Sequence, residues 1–114
     1  MEIKITGRHL DVSDEMKNLA TRKVEKLAKF DAGIHLIEVI LSREKIRFKV
    51  EIIVKSRHLQ METTWRDEDL HTCFDDVLSK MERRLREHRE KIIDKKHRKG
   101  GPVSKPSGAE IEET

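Results

Sequence analysis

The chain has 114 residues, of which 41% are charged and 4% aromatic, and its formal net charge is +3. This length allows one domain with a modest core, and a single cysteine excludes an intramolecular disulfide and is typical of a reducing cytosol. No apolar segment reaches transmembrane length and the N-terminus lacks the apolar core of a signal peptide. We therefore expect a cytoplasmic protein without a membrane partner.

The first third of the chain predicts a strand followed by a helix. Residues 2–6 alternate polar and apolar side chains, which is the period of a half-buried strand. Ser13 is the expected N-cap of the helix, and acidic residues follow it in the first turn, where the helix dipole favours them. Apolar residues then recur at helical spacing from Met16 to Phe30. Gly33 is suited to end this helix in the left-handed conformation.

Three strand-like segments follow, at residues 34–42, 46–55 and 58–65. The first is β-branched and almost continuously apolar, so we expect it in the centre of a sheet. The other two alternate apolar and polar side chains, and short polar joints separate the three segments, as in hairpins. The first strand should join the second through the helix by a right-handed crossover, and the last three strands should form an antiparallel meander.

A long helix follows, and one of the acids at residues 67–69 is expected to cap it. Its apolar stripe consists of Leu70, Cys73, Phe74, Val77, Leu78, Met81, Leu85, His88 and Ile92. Beyond Lys99 the sequence is rich in Gly, Pro and Ser without an apolar period. We predict one domain over residues 1–98 and a flexible tail over residues 99–114. The predicted fold class is α+β, in the order β-α-β-β-β-α, with a four-stranded sheet and both helices on one face.

Basic residues concentrate near the end of this helix. Residues 80–100 hold ten Lys and Arg against four Asp and Glu, a local charge of +6. A helical wheel places four of them on one ridge beside the apolar stripe, and we expect this ridge to face RNA: they are Lys80, Arg84, Lys91 and Lys95. The first helix is also basic, so the two helices should form one positive surface for phosphates. The scarcity of aromatic residues argues against base stacking and favours recognition of backbone and shape.

Other interpretations of these residues remain open at this point. The long helix could be a solvated face with pairs such as Glu82 with Arg86, or, with less support, part of a coiled coil. The acids at 67–69 favour a helix N-terminus without any metal, and Cys73 and Trp65 are expected in the core or at its edge. No nucleophile lies beside a base and no phosphate-binding glycine loop is present. We expect no catalysis, cofactor, metal or small-molecule substrate.

The element order and the segment DEDLHTCFDDVLSKMERRLREHREK, residues 67–91, resemble the ribosome hibernation promoting factor family. This family includes the ribosome-associated translation inhibitors and was formerly described as sigma-54 modulation proteins. The opening segment IKITGRHLDVSDEMKNLATRKVEKLAKF also resembles the beginning of family members. Two departures are His71, where the family usually has Tyr, and Arg84, where Gln is frequent. The chain ends soon after this domain and therefore resembles a short form.

The resemblance implies a fold of the double-stranded RNA-binding type and a stress-response function in stationary phase. The partners would be the small ribosomal subunit and its ribosomal RNA, near the transfer RNA and messenger RNA channel, where the protein would silence idle ribosomes. It would be a monomer when free. The RNA-binding residues carried over, together with the last residue of the ridge, are Lys23, Lys26, Lys80, Arg83, Arg84, Lys91 and Lys95. The alternatives are a general RNA- or DNA-binding module, or a regulator that docks on an acidic protein partner.

Overall fold

The computed structural model describes residues 1–57 and 59–97, with side chains described as far as Glu90. Its elements are β1 (Glu2–Arg8), α1 (Asp14–Glu25), β2 (Ile34–Glu44), β3 (Arg47–Ser56), β4 (Gln60–Asp67) and α2 (Leu70–His97). A 3₁₀ segment, Lys26–Phe30, continues α1. The predicted order of elements is confirmed. The predicted tail, residues 99–114, lies outside the described residues.

The four strands form one sheet in the order β1-β2-β3-β4. β1 is parallel to β2, and the pairs β2–β3 and β3–β4 are antiparallel, as the crossover and meander predicted. The central position of the apolar strand β2 is also confirmed. Because β1 and β4 both point in the direction of β2, the helices that follow them begin at the same end of the sheet.

Both helices pack on one face of the sheet. The register places Val39 opposite Ile52, with Ile37 and Leu41 flanking Val39 on the same strand, and none of these side chains is exposed. The same cluster contains Met16, Ala20 and Val24 of α1 and Cys73, Phe74, Val77, Met81 and Leu85 of α2. The other face of the sheet carries the alternate residues of each strand, including Glu38, Lys49 and Glu51. This arrangement confirms the predicted α+β architecture.

The predicted start of α1 is confirmed, but the helix ends differently from the prediction. The Ser13 Oγ accepts a hydrogen bond from the Met16 amide at 3.1 Å, so Ser13 is the N-cap. The α-helix ends at Glu25, and the 3₁₀ segment suits the spacing of three between Leu27, which is fully buried, and Phe30. Gly33 does not adopt the predicted left-handed conformation. Instead its amide donates to the Asp31 carboxylate at 2.8 Å, and this bond closes the turn.

Gly7 allows the connection between β1 and α1 to turn back closely on the strand. A Cβ at this position would collide with the Leu10 carbonyl and lie 2.7 Å from the Val12 Cγ2. His9, in the same connection, has a positive φ of 56°. The glycine is therefore required by the close approach of the chain and not by its own backbone angles.

α2 begins with a carboxylate cap and continues far along the sheet. The Asp69 carboxylate accepts from the Thr72 amide at 2.9 Å and from the Thr72 hydroxyl at 2.8 Å, and these two bonds lower the pKa of Asp69. One of the three predicted acids is thus the cap. The 28 residues of α2 span about 42 Å. No helix in residues 1–57 and 59–97 is both long and apolar enough to cross a membrane.

Candidate nucleic-acid interface

Two residues of the predicted ridge lie on the side of α2 that faces β4. The Lys80 Nζ lies 4.9 Å from the centroid of the Trp65 ring. One turn later, the Arg84 Nη1 donates to the Glu62 carbonyl oxygen at 2.7 Å and to the Thr63 Oγ1 at 3.0 Å. The side chains of Lys80 and Arg84 are therefore aligned along the strand, as the helical wheel predicted.

The same contacts change the expected role of Arg84. The ridge was expected to face RNA, yet the Arg84 guanidinium fastens α2 to β4, and the Thr63 side chain that accepts from it is buried. A guanidinium has five N–H donors, so Nε and Nη2 still offer three donors to a phosphate. The side chains of Lys91 and Lys95, which would continue the ridge, lie outside the described residues.

Lys23 belongs to α1 and contacts the side of α2 that faces this helix. Its Nζ forms an ion pair with the Asp75 Oδ1 at 2.7 Å and lies 6.0 Å from the centroid of the Phe74 ring. Both partners of this ion pair are partly exposed, and such pairs contribute little to stability. The consequence for binding is larger, because Asp75 compensates the charge that Lys23 was predicted to offer to RNA.

Lys26 and Arg83 are the exposed ones among the predicted site residues whose side chains the structure describes. Within the described part of the chain, the side chain of neither residue forms a hydrogen bond or an ion pair. Lys26 begins the 3₁₀ segment, and Arg83 lies on the outer surface of α2 between Lys80 and Arg84. Arg89 extends this surface toward α1, where its Nη1 is 3.5 Å from the Lys29 carbonyl oxygen.

The sequence suggested that the two helices form one continuous positive surface, but the structure shows that they do not. Acidic residues gather where both helices begin: Asp14, Glu15, Asp67, Glu68, Asp69, Asp75 and Asp76. Basic residues dominate the later turns, where they complement the helix dipoles. The predicted interface is therefore narrower, and it comprises the later turns of α1 and α2. The alternative of a helix covered by i to i+4 pairs is not supported by Glu82 and Arg86, which form no ion pair in the described structure.

Trp65 and Cys73 lie close together at the start of this interface. Cys73 is fully buried, as predicted, and its Sγ donates to the Trp65 carbonyl oxygen at 3.2 Å. Burial raises the pKa of the Cys73 thiol to about 11. Trp65 is at the edge of the core, and 37% of its surface is exposed. Sequence reasoning missed this exposure, and the signal for it was the position of Trp65 near the end of the last strand, which lies at the sheet edge.

No three His, Cys, Asp or Glu residues in the described part of the chain come together in a way that could hold a metal ion. Two of the acids at residues 67–69 instead accept hydrogen bonds at the start of α2. Besides the Asp69 cap, the Asp67 carboxylate accepts from the Asp69 amide at 3.0 Å.

The fold and the surface together define a small α+β domain whose two helices present basic side chains on one face of a four-stranded sheet. The chain belongs to the family described as Sigma 54 modulation protein / S30EA ribosomal protein, whose model matches residues 3–93. This match begins at the second residue of β1 and ends at residue 93 of α2, so it includes every predicted site residue except Lys95.

Two proteins of similar sequence are both named ribosome hibernation promoting factor. The ribosome hibernation promoting factor of Azotobacter vinelandii is 27% identical over 95 residues, which cover 83% of this chain and 89% of that protein. The protein of the same name from Escherichia coli K12 is 23% identical over 92 residues, covering 81% of this chain and 97% of that protein.

Two solved structures share the fold. A ribosomal subunit interface protein from Coxiella burnetii superposes with a TM-score of 0.73 at 22% identity, covering 79% of this chain and 99% of that chain. The N-terminal domain of Thermus thermophilus Protein Y superposes with a TM-score of 0.71 at 24% identity, covering 77% of this chain and 99% of that chain.

Proposed function

We propose that this protein is a ribosome hibernation factor that binds the small ribosomal subunit and silences translation by idle ribosomes. The observation that carries the proposal is the family match over residues 3–93, which includes nearly all of the sheet, all of α1 and most of α2. The names of the similar proteins from Azotobacter vinelandii and Escherichia coli support it.

The physical basis of binding is the release of counterions from ribosomal RNA phosphates by basic side chains. We propose that Lys26 and Arg83 make the strongest phosphate contacts, because no acid in the described residues compensates either charge. Lys80 and Arg84 would contribute from the β4 side, and Lys23 less, because Asp75 pairs with it. Lys91 and Lys95 belong to the same proposal by their positions on the ridge.

We further propose that the protein binds near the transfer RNA and messenger RNA channel, where occupancy alone prevents translation. This mode of inhibition needs no catalytic group and no cofactor, only a rigid body of the right shape and charge. The fold is suited to it, because the core residues of both helices are anchored on the sheet. The protein would act as a monomer, and its site of action would be the cytoplasm, where ribosomes are found.

The test is cosedimentation of the full chain with purified small ribosomal subunits at low salt. A variant with Lys26→Glu and Arg83→Glu should lose binding. A matched control with Lys49→Glu and Lys55→Glu changes the charge by the same amount on the other face of the sheet, and it should still bind.

Three outcomes would contradict the proposal. If the unaltered chain does not sediment with small subunits at low salt, the proposed function is wrong. If the two double variants lose binding equally, the interaction depends on net charge and not on this face. If the chain binds any RNA or DNA duplex as tightly as small subunits, the alternative of a general nucleic-acid module is correct.

A further inference from the structure

Trp65 is the only tryptophan of the chain, and its side chain is more exposed than any of the three phenylalanines. An exposed large aromatic side chain at a polyanion-binding surface needs a reason, because burying it would favour folding. Its position on β4, beside the turns of α2 that carry the basic ridge, supplies one.

The structure holds Trp65 in a fixed place. Its backbone pairs with Val50 in the β3–β4 ladder, and its carbonyl oxygen also accepts from the Cys73 thiol at 3.2 Å. The strand and the helix therefore both restrain its position. Because its backbone is held in this way, only the side-chain torsions of Trp65 are fixed when a base stacks on the ring, which limits the entropic cost of binding.

Two cations of α2 contact β4 at or near this ring, and a third is their neighbour on the helix. Lys80 already has its ammonium 4.9 Å from the ring centroid, and Arg84 is held by Glu62 and Thr63 on the same strand. Arg83 directly precedes Arg84 on the outer side of the helix, and its side chain is exposed with no partner among the described residues. An aromatic surface next to several phosphate-binding groups is the arrangement found in proteins that bind single-stranded nucleic acids.

We propose that Trp65, Lys80 and Arg83 form a nucleotide-binding subsite for unpaired RNA. A base stacks on the indole ring, and Lys80 and Arg83 bind the phosphates on either side of it. As the base takes its place on the ring, the ammonium of the half-buried Lys80 exchanges its cation–π contact for a phosphate. The subsite rests on the proposed function for its ligand, and it adds a base contact to an interface expected to read only backbone and shape.

The first experiment uses Trp65 itself as the reporter. The full chain is titrated with single-stranded (rA)₁₀ while tryptophan fluorescence is recorded, because a base stacked on the only indole quenches its emission. Polyphosphate of equal charge is the control, since it can bind the cations but cannot stack. We expect strong quenching with (rA)₁₀ and little with polyphosphate. Equal responses to the two ligands, or no quenching by (rA)₁₀, would overturn the subsite.

The second experiment measures affinity with fluorescein-labelled (rA)₁₀ by anisotropy. Trp65→Leu should weaken binding by about 5-fold or more, the range expected for loss of one stacked base, and Trp65→Phe should lie between the two. The salt dependence should not change in either variant, because stacking releases no counterions, whereas Arg83→Ala should lower the slope of log K against log salt by about one. Full affinity of Trp65→Leu contradicts the proposal.

A matched control separates stacking from the loss of any aromatic ring next to a cation. Phe48 carries the Arg43 guanidinium 5.2 Å from its ring centroid but lies outside the subsite, so Phe48→Leu should bind (rA)₁₀ with unchanged affinity. Cosedimentation with small subunits distinguishes the two proposals. Suppose that the unaltered chain sediments with small subunits, that (rA)₁₀ does not quench the Trp65 emission and that Trp65→Leu binds (rA)₁₀ with full affinity. In that case only the proposed subsite is wrong.

Discussion

Arg84 and Arg83 are adjacent identical residues with opposite surroundings, and replacing each by alanine tests how α2 is attached to the sheet. Arg84 donates to the Glu62 carbonyl and to the Thr63 hydroxyl, whereas Arg83 is exposed and has no partner among the described residues. Each substitution removes one positive charge from neighbouring positions on one helix. Any difference in stability between the two variants therefore reports the contacts with β4 and not the charge.

The expected magnitude follows from the burial of the two acceptors. Thr63 is only 5% exposed, so its hydroxyl would lose a charged partner with little access to water, at a cost of about 1–2 kcal/mol. The bond to the Glu62 carbonyl is exposed, and water can replace it for a few tenths of a kcal/mol. Arg84→Ala should thus destabilise the protein by about 1.5 kcal/mol, a decrease in Tm of roughly 6–12 °C. Arg83→Ala should stay within about 0.5 kcal/mol of the unaltered chain.

Urea and thermal unfolding of the two variants provide the measurement. A double-mutant cycle between Arg84→Ala and Thr63→Val should give a coupling energy above about 0.5 kcal/mol, because the residues are in direct contact. The reasoning is refuted if Arg84→Ala unfolds at the same urea concentration as Arg83→Ala, or if the cycle gives no coupling. In RNA binding, by contrast, Arg84→Ala and Arg83→Ala should each lower the slope of log K against log salt by a similar amount.

Two further predictions concern titrating groups at the start of α2, the capping Asp69 and the buried Cys73. The hydrogen bonds from Thr72 lower the pKa of Asp69, so its charged form stabilises the fold above the unfolded-state pKa, and this contribution is lost as pH falls through the folded-state pKa. Asp69→Ala should lower the free energy of unfolding at pH 7, and the stability difference between the native chain and Asp69→Asn should shrink as pH falls below 3.8; a difference independent of pH would contradict the cap. Burial raises the pKa of Cys73 from 9.0 to about 11, so the neutral thiol contributes fully below pH 9, and its contribution decreases as pH rises toward 11. Iodoacetamide should alkylate Cys73 slowly in the folded protein at pH 8 and rapidly in urea, and equal rates would show that the thiol is accessible.

Much of the fold could be predicted because it depends on local periodicity. The alternation in β3 and the continuous apolar character of β2 identified the buried face and the centre of the sheet. The N-caps could also be predicted, because Ser13 and Asp69 satisfy amides only three residues away. The end of α1 could not: a stripe with Leu27 and Phe30 three residues apart fits both an α-helix and a 3₁₀ turn, and packing on the sheet decides between them.

The candidate site could be predicted only in part, and for a different reason. The sequence by itself determined which residues are basic, that Lys80 and Arg84 share one ridge, and that this ridge borders the core. The tertiary structure decided that β4 lies against the ridge, that Thr63 and Glu62 hold Arg84, and that Asp75 compensates Lys23. These partners are 21 to 52 residues apart in sequence. A helical period specifies the face that a residue occupies, whereas the partner on that face depends on the strand order and on the path of the helix over the sheet.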